Sequence, residues 1–225
     1  MLPRRSKKKP DPEQLRLGKL IEYELEARAQ GFQWIAGIDE AGRGPLAGPV
    51  YAAACIIPDG IFFRGVDDSK QLTPEQRESL YLEITSHPDI IYGIGFASHE
   101  VIDTVNIYQA TILAMLQAVA ALKIKPDYLL VDGLKLPHPE IRSRKIIKGD
   151  TLSQSIAAAS ILAKVTRDKI MIEYDLKWPQ YGFRNHKGYA TQQHMEAISI
   201  YGPCPIHRMT FEPCREALAD QLSLF

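Results

Sequence analysis

Three features that often reveal the class of a protein are scarce or missing in this sequence of 225 residues. Its three cysteines form no C-x-x-C pair, which argues against a disulfide framework or a zinc cage and favours a reducing compartment. The longest nearly apolar stretch, residues 110–122, is too short to span a bilayer. The basic N-terminus is followed by Pro10, Asp11 and Pro12 rather than by an apolar segment, so it does not resemble a signal peptide. We therefore expect a cytoplasmic globular protein.

The sequence also lacks a net charge, because 27 basic residues balance 27 acidic ones. Five of the basic residues, and no acidic residue, lie in positions 1–10, which leaves 27 less 5, or 22, basic groups against 27 acidic groups over residues 11–225. A nucleic-acid-binding protein usually carries a basic surface. The deficit therefore indicates either local basic patches or acidic clusters that bound cations neutralise. Residues 135–148, with five basic residues and one acidic residue, form one such patch.

The composition is that of an ordinary globular chain, with 45% apolar and 24% charged residues. We divide the chain into a disordered basic tail (1–12), an N-terminal helix (13–31), a main domain (32–215) and a C-terminal tail (216–225).

The apolar pattern of the main domain predicts strands first in succession and then alternating with helices. Strands are predicted over WIAGIDEAG, PVYAAACIIP, DIIYGIGFAS, DYLLVD and RKIIK. Thr73 begins a predicted capping box, and Asn106 is predicted to cap a buried helix. Further helices are predicted over residues 151–178, 191–201 and 212–221. This order of elements predicts an α/β fold with a mixed sheet.

Acidic residues fall at the predicted ends of three strands. Asp39 and Glu40 close IAGIDE, Asp132 closes LLVD, and Asp150 closes IIKGD. Open α/β sheets build their sites at the edge formed by the carboxyl ends of the strands. Carboxylates gathered there would repel one another unless cations held them together, and ligands that are all oxygen select Mg²⁺ or Mn²⁺ over zinc. Two such ions can activate water and stabilise the leaving oxygen of a phosphodiester.

Two considerations keep alternatives open for these acids. Taken singly, each acid at a strand end is more often a turn former or a helix cap than a metal ligand. Adjacent strand residues also point to opposite faces, so Asp39 and Glu40 share one site only if the strand ends or bulges there.

Another motif, Gly42-Arg-Gly44-Pro-Leu-Ala47, matches the dinucleotide-binding fingerprint G-x-G-x-x-G/A. That fingerprint requires a helix next, whereas the apolar run that follows predicts a strand. This excludes a nucleotide-cofactor site.

The chain carries, in order, the motifs Gly37-Ile-Asp-Glu-Ala-Gly-Arg-Gly-Pro-Leu-Ala-Gly-Pro-Val50, Asp68-Ser-Lys70, Asp132-Gly133, Lys148-Gly-Asp150, Ser155-Ile-Ala-Ala-Ala-Ser-Ile-Leu-Ala-Lys164, His186-Lys-Gly-Tyr189 and His207-Arg-Met-Thr-Phe211. In this order they resemble the motifs of the bacterial-type ribonuclease HII family. The resemblance implies an RNase H-like catalytic domain, with a mixed β-sheet flanked by helices and a small C-terminal helical portion.

The resemblance assigns the catalytic and metal-binding roles to Asp39, Glu40, Asp132 and Asp150, with two Mg²⁺ or Mn²⁺ ions once substrate is bound. It implies endonucleolytic cleavage of RNA in RNA–DNA hybrids and on the 5′ side of single ribonucleotides embedded in duplex DNA. Such cleavage would leave a 3′-hydroxyl and a 5′-phosphate and would serve ribonucleotide removal during DNA replication and repair. By the same analogy we expect a monomer.

The 2′-hydroxyl separates RNA from DNA, and the resemblance assigns its recognition to the backbone of Gly42, Arg43 and Gly44 and to the ring of Tyr189. Glycine lets a backbone approach a sugar closely, and an aromatic ring can stack on the adjoining deoxyribose. Without the resemblance, an ordinary half-buried tyrosine would be the favoured interpretation of Tyr189.

Two lysines are expected to contact phosphate. Lys164 lies on a predicted helix that begins beside Asp150, which favours phosphate contact over a solvated charged face. The resemblance favours Lys70 in the same role, although the Asp-Asp-Ser sequence before it could simply form a turn. His207 matches a family motif and is expected to be structural rather than a metal ligand.

The last five residues, Gln221-Leu-Ser-Leu-Phe225, resemble the peptide that bacterial sliding clamps bind. Gln221, Leu222, Leu224 and Phe225 would dock into an apolar groove of the clamp. The alternative is a helix end that folds its apolar side chains back onto the domain.

Three other functions fit the sequence less well. A ribonuclease HIII shares the core motifs but carries an additional N-terminal platform domain, and the residues before Gly37 leave no room for one. A non-catalytic hybrid-binding module recruited by the clamp would be favoured if any of the four acids were missing, and none is. A generic Mg²⁺-dependent phosphatase leaves the Gly-Arg-Gly element and Tyr189 unexplained.

Overall fold

A five-stranded sheet forms the centre of the computed structural model, which describes residues 11–216. The strands are β1 (Ile35–Ala41), β2 (Val50–Ile56), β3 (Ile91–Ala97), β4 (Tyr128–Asp132) and β5 (Arg142–Ile146). Their spatial order is β3-β2-β1-β4-β5. Strand β2 is antiparallel to both of its neighbours, whereas β4 is parallel to β1 and β5. The predicted mixed sheet is confirmed.

The helices are α1 (Pro12–Leu20), α2 (Glu22–Ala29), α3 (Pro74–Ser86), α4 (His99–Val105), α5 (Ile107–Ala120), α6 (Gln154–Lys177), α7 (Phe183–His186) and α8 (Gln192–Tyr201). The N-terminal segment predicted as one helix over residues 13–31 forms two helices, because Ile21 leaves helical geometry with φ −109° and ψ 6°. Helices α4 and α7 are too short for their periodicity to reveal them, and neither was predicted. Residues 214–216 are helical, at the start of the helix predicted over 212–221.

Local capping chemistry determines where two of the predicted helices begin. Thr73 caps α3 with a capping box, in which its Oγ1 accepts from the Gln76 N–H and its own N–H donates to Gln76 Oε1. Asn106 caps α5 by accepting from the Gln109 N–H at 3.1 Å. Both helix starts are confirmed, because a capping side chain needs only residues that are close in sequence.

Helices α5 and α6 cover opposite faces of the sheet. Alternate residues of β1 and β2, among them Ile38 and Ala52, pack with α5, while Ala53 and Cys55 of β2 pack with α6. The approach of α6 is so close that a Cβ on Gly37 would lie 2.2 Å from the Ser155 carbonyl carbon. The central strands are therefore buried on both faces, and the edge at the carboxyl ends of β1 and β4 is left to build a site.

Two sets of predictions lie outside the described residues, namely most of the basic tail 1–12 and the clamp peptide 221–225. Within residues 11–216, none of the helices is both long enough and apolar enough to cross a membrane.

Candidate active site

Three of the four predicted acids meet at the carboxyl ends of β1 and β4. Each of Asp39, Asp132 and Asp150 offers a carboxylate oxygen, and these oxygens all lie within 4.8 Å of one another. Asp39 lies in β1 and Asp132 is the last residue of β4. These two strands are adjacent and parallel, so their carboxyl ends reach the same edge of the sheet. The predicted convergence of these three side chains is therefore present.

Asp150 reaches the cluster from a turn and not from a strand end, so the prediction that it closes a strand is wrong. Strand β5 stops at Ile146, and Lys148 adopts a left-handed conformation with φ 57° and ψ 42°. The chain then enters a single 3-10 turn, Gly149–Thr151, directly before α6. A turn can place a carboxylate beside β4 because it is free of the strand register.

Glu40 is placed differently from the other three acids. The pairing of β1 with β2 is unbroken from Ala36 to Ala41, so there is no bulge, and the side chains of Asp39 and Glu40 lie on opposite faces. Glu40 Oε1 accepts from Arg43 Nη1 at 3.2 Å. Its Oε2 is buried and has no hydrogen-bond partner among the described residues. The charge of Asp132 still acts on Glu40, so Glu40 lies at the rim of the acidic cluster.

Burial and mutual repulsion raise the pKa values of these acids. Asp39 is 5% exposed, and burial followed by the charges of Glu40 and Asp132 raises its pKa well above the usual range. Burial and the charge of Asp68 raise the pKa of Asp150 to about 6. Burial also raises the pKa values of Asp132 and Glu40. A cation placed among these groups would relieve the repulsion that raises the pKa values.

The donor set of the cluster fits a hard divalent cation. The three clustered ligands are all carboxylates, which Mg²⁺ and Mn²⁺ prefer, and no histidine or cysteine joins them within residues 11–216. The unpartnered Oε2 of Glu40 is a buried acceptor that a cation or its hydration shell would satisfy. The residues present therefore fit a divalent metal site.

Lys70 lies beside the acidic cluster. Its Nζ is 4.0 Å from Asp150 Oδ2 and 3.9 Å from Asp68 Oδ1, and its side chain is 78% exposed. Although burial lowers it, the pKa of Lys70 is raised overall by the surrounding carboxylates. This position combines a fixed positive charge with solvent access.

Lys164 lies one helical turn after Ser160 on α6, and its Nζ donates to Asp168 Oδ1 at 2.8 Å. It lines an open groove of about 440 Å³ together with Arg77, Lys169 and Lys187. Lys164 is thus paired with a carboxylate in a groove that is rich in cationic side chains.

Two residues of the cluster were not predicted. Asp68 is 9% exposed and contributes to the raised pKa of Asp150. Ser160 lies beside Asp39 and donates to Ser69 Oγ at 2.8 Å. The only signal for either residue was its place in a motif, because neither follows a strand.

The loop between β1 and β2 brings the Gly-Arg-Gly element next to Tyr189. A Cβ on Gly44 would lie 3.6 Å from Tyr189 Cε1, and the Tyr189 side chain is 45% exposed. The Leu46 N–H donates to the Gly188 carbonyl at 2.8 Å, which ties the loop to the segment that carries the tyrosine. The two elements assigned to ribose recognition are therefore neighbours in space.

Two buried arginines that were not predicted as site residues hold this loop. Arg167 donates to the carbonyls of Pro49 and Ala47 at 3.0 and 3.2 Å. Arg208 donates to carbonyls at the beginning of the same loop, including that of Gly42. Arg208 falls in the His-Arg-Met-Thr-Phe motif, but nothing in its sequence surroundings indicates which backbone it contacts.

Comparisons with known proteins agree with this geometry. A family model described as Ribonuclease HII matches residues 36–214. A protein named ribonuclease HII from Chlamydia caviae is 53% identical over 208 residues, which is 92% of this chain and 97% of the relative. The crystal structure of the ribonuclease H2 from Pyrococcus horikoshii matches with a TM-score of 0.70 and 30% identity, covering 83% of this chain and 97% of that one. A chain in the structure of the PCNA:RNase HII complex from Archaeoglobus fulgidus matches with a TM-score of 0.68 and 27% identity, covering 80% and 95%.

Proposed function

The chain belongs to the ribonuclease HII family, and we propose that this endoribonuclease cuts RNA–DNA hybrids and also cuts duplex DNA on the 5′ side of embedded ribonucleotides. One observation carries the proposal: a cluster of three carboxylates lies at the end of β1 that leads into the glycine loop, and an exposed tyrosine lies against that loop. The cluster suits phosphodiester hydrolysis, and the loop with the tyrosine suits recognition of a sugar. The alternative of a non-catalytic module is not retained.

Asp39, Asp132 and Asp150 would hold the metal, with Glu40 at the rim of the cluster. Four carboxylates carry more negative charge than one dication neutralises, which supports two Mg²⁺ or Mn²⁺ ions in the substrate complex. When bound, such ions supply a water of lowered pKa and stabilise charge on the phosphate oxygens. The protein supplies the fixed carboxylates, and the sheet holds Asp39 and Asp132 in place before substrate arrives.

Ribose recognition would come from Gly42, Arg43 and Gly44 together with Tyr189. The 2′-hydroxyl both donates and accepts a hydrogen bond, so backbone N–H and C=O groups can recognise it. A side chain at residue 44 would occupy the space against the tyrosine ring, and glycine leaves that space open for a sugar. Stacking of the exposed Tyr189 ring on the next deoxyribose would then fix the position of the ribonucleotide.

Phosphate contacts would come from Lys70 and Lys164. The exposed ammonium of Lys70 is supported as a phosphate ligand by its distance of 4.0 Å from Asp150. Lys164 would have to exchange its Asp168 partner for a phosphate oxygen, and the cationic groove around it favours that exchange.

The test of this function is a DNA duplex that contains one ribonucleotide, incubated with Mg²⁺ or Mn²⁺ beside an all-DNA duplex. We expect incision only on the 5′ side of the ribonucleotide, with 3′-hydroxyl and 5′-phosphate ends. Asp39→Asn should abolish incision while the duplex still binds, whereas the exposed Asp59→Asn serves as the matched control and should retain activity. Cutting of both duplexes, or of neither, would reject the proposal.

A second proposed function is recruitment by a sliding clamp through Gln221, Leu222, Leu224 and Phe225. Its support is the match of these residues to a clamp-binding peptide, together with the archaeal relative whose structure is a PCNA:RNase HII complex. Recruitment would bring the enzyme to newly replicated DNA that contains ribonucleotides to be removed.

A further inference from the structure

Residues 206–210 contact the glycine loop of the proposed ribose-recognition site directly and are linked to Tyr189 through His194. The Gly48 N–H donates to the Ile206 carbonyl, and the Arg208 N–H donates to the Leu46 carbonyl, each at 2.8 Å. These two bonds form an antiparallel bridge between Ala47 and His207. The C-terminal portion is thereby paired with the loop that carries the Gly-Arg-Gly element.

Arg208 is fully buried, and its guanidinium donates hydrogen bonds to three backbone carbonyls. Its Nη2 donates to Gly42 O at 2.6 Å, its Nη1 to Arg43 O at 2.8 Å and its Nε to Gly48 O at 3.0 Å. Burial lowers the pKa of Arg208 to about 9, so the group stays charged at neutral pH. Burying a charge costs free energy. The planar guanidinium holds three points of one loop at once, and this geometry explains why a charged group is buried here despite the cost.

Histidines link the same segment to Tyr189. His207 Nδ1 accepts from the Cys204 N–H at 2.8 Å, so the proton of the neutral ring is on Nε2, which lies 3.0 Å from His194 Nε2. His194 then carries its own proton on Nδ1, which donates to the Tyr189 carbonyl at 2.9 Å. The hydrogen-bond chain therefore ends on the backbone of the tyrosine proposed to stack on the sugar.

Asp103 anchors the segment to the sheet domain. From α4, its carboxylate accepts from the Met209 N–H at 2.8 Å, from the Thr210 N–H at 3.0 Å and from the Thr210 hydroxyl at 2.6 Å. Residues 206–210 are thus held by α4 on one side while they hold the glycine loop and the tyrosine on the other.

We propose that Arg208 is a positioning residue for ribose recognition, because its guanidinium sets the backbone of Gly42 and Arg43 relative to Tyr189. This inference rests on the proposed role of that loop and tyrosine. Without the guanidinium, three carbonyl oxygens lose their donors, two of them in buried contacts, and the loop must move for these oxygens to reach water. The clustered acids do not hydrogen-bond to Arg208, so metal binding should survive while alignment of the ribonucleotide is lost.

The test compares Arg208→Ala and Arg208→Lys with the wild-type enzyme on the duplex with one ribonucleotide. We expect Arg208→Ala to lower kcat by about 100-fold, as a misplaced reacting group does, while KM and Mn²⁺ affinity by calorimetry stay near their wild-type values. Millimolar guanidinium chloride, but not equal sodium chloride, should raise the kcat of this variant by filling the vacated site. Arg208→Lys keeps the positive charge but lacks the planar set of donors, so its kcat should lie between those of the wild type and Arg208→Ala.

Met115→Ala is the control for general loss of stability. Met115 belongs to α5 and is fully buried in the core, away from the loop, so its truncation should lower Tm without lowering kcat and without a response to guanidinium. If Arg208→Ala does not fold, Arg208→Lys becomes the test of the inference. A wild-type kcat in Arg208→Lys then overturns the inference. Wild-type kcat in Arg208→Ala, or no response to guanidinium, also overturns it. A wild-type enzyme that ignores the ribonucleotide would instead reject the proposed function.

Discussion

The main-chain N–H of Gly149 donates a hydrogen bond of 2.6 Å to Asp132 Oδ1. This bond ties the turn that carries Asp150 to the end of β4, so two acids that are 18 positions apart in the sequence are held by one backbone contact. The contact also orients the Asp132 carboxylate, because the oxygen that accepts from Gly149 is fixed and the other remains for a cation.

Gly149→Ala should weaken metal binding. A Cβ at this position would lie 2.6 Å from Ile156 Cδ1 and 3.3 Å from Asp132 Oδ1, so the turn must move away from β4. Loss of such an orienting contact should lower Mn²⁺ affinity by roughly 10-fold, measured by calorimetry. Gly18→Ala in α1 is the matched control, since a Cβ there meets nothing within 4 Å. Equal affinity in both variants would contradict this role of Gly149.

Mn²⁺ should raise the Tm of the protein more at pH 7.5 than at pH 5. The raised pKa values of Asp39 and of Asp150, the latter about 6, mean that these acids bind protons in the metal-free fold which the unfolded chain releases near pH 4. For Asp150, the favourable contribution to the stability of the fold is therefore lost as the pH rises from about 4 through 6. Bound metal must displace the Asp150 proton at pH 5, whereas the Asp150 carboxylate is already ionised at pH 7.5.

Differential scanning calorimetry at each pH, with and without Mn²⁺, gives the difference in Tm that metal binding causes. This difference isolates the effect of the protons that the metal displaces. Burial lowers the pKa values of His194 and His207 to about 4. The stability that these two residues contribute is present above their unfolded pKa and is lost as the pH falls towards 4. That loss occurs with or without metal and so cancels in the difference. Asp150→Asn should shrink the Mn²⁺-dependent rise, and a rise that is the same at all pH values would refute the prediction.

Glu24→Ala should destabilise the fold by about 2 kcal/mol, because three donors lose their acceptor. Glu24 is 4% exposed, and its Oε1 accepts from the hydroxyls of Ser153 and Ser155, each at 2.6 Å, and from the Ser155 N–H at 3.0 Å. These donors lie at the N-terminal end of α6, where a carboxylate is also favoured by the helix dipole.

Urea unfolding would measure this loss, with Glu22→Ala in the same helix as the matched control. The Glu22 side chain is exposed, so its removal should change the free energy of unfolding by less than about 0.5 kcal/mol. Glu24→Gln should fall between the two, since the amide oxygen still accepts. Equal stability of Glu24→Ala and Glu22→Ala would show that the buried carboxylate does not hold α2 to α6.

Deletion of residues 221–225 should abolish pull-down by a bacterial sliding clamp while hydrolysis of a free oligonucleotide stays intact. Phe225→Ala should reproduce most of the loss because an aromatic anchor dominates such docking. Ser223→Ala is the control and should bind as the full chain does. Pull-down that survives the deletion would exclude the peptide as the clamp ligand.

Sequence alone determined the features that depend on near neighbours. The capping box at Thr73 and the cap at Asn106 involve residues within three positions, so their chemistry is visible in the order of the letters. Apolar runs in the sequence predicted the strands, and the ends of those runs predicted that Asp39 and Asp132 lie at strand ends. The family resemblance added the RNase H-like fold, which the structure and the comparisons confirm.

Tertiary structure decided what depends on residues far apart in the chain. Pairing of β1 with β4 brings Asp39 to Asp132, and the unbroken register with β2 turns Glu40 to the other face. Arg208 contacts Gly42 across 166 positions, and no local periodicity encodes such a contact. Caps and strand patterns are set by short-range sterics and hydrogen bonds. The position of a carboxylate or a guanidinium in space is set by which elements pack together, and that is a property of the whole fold.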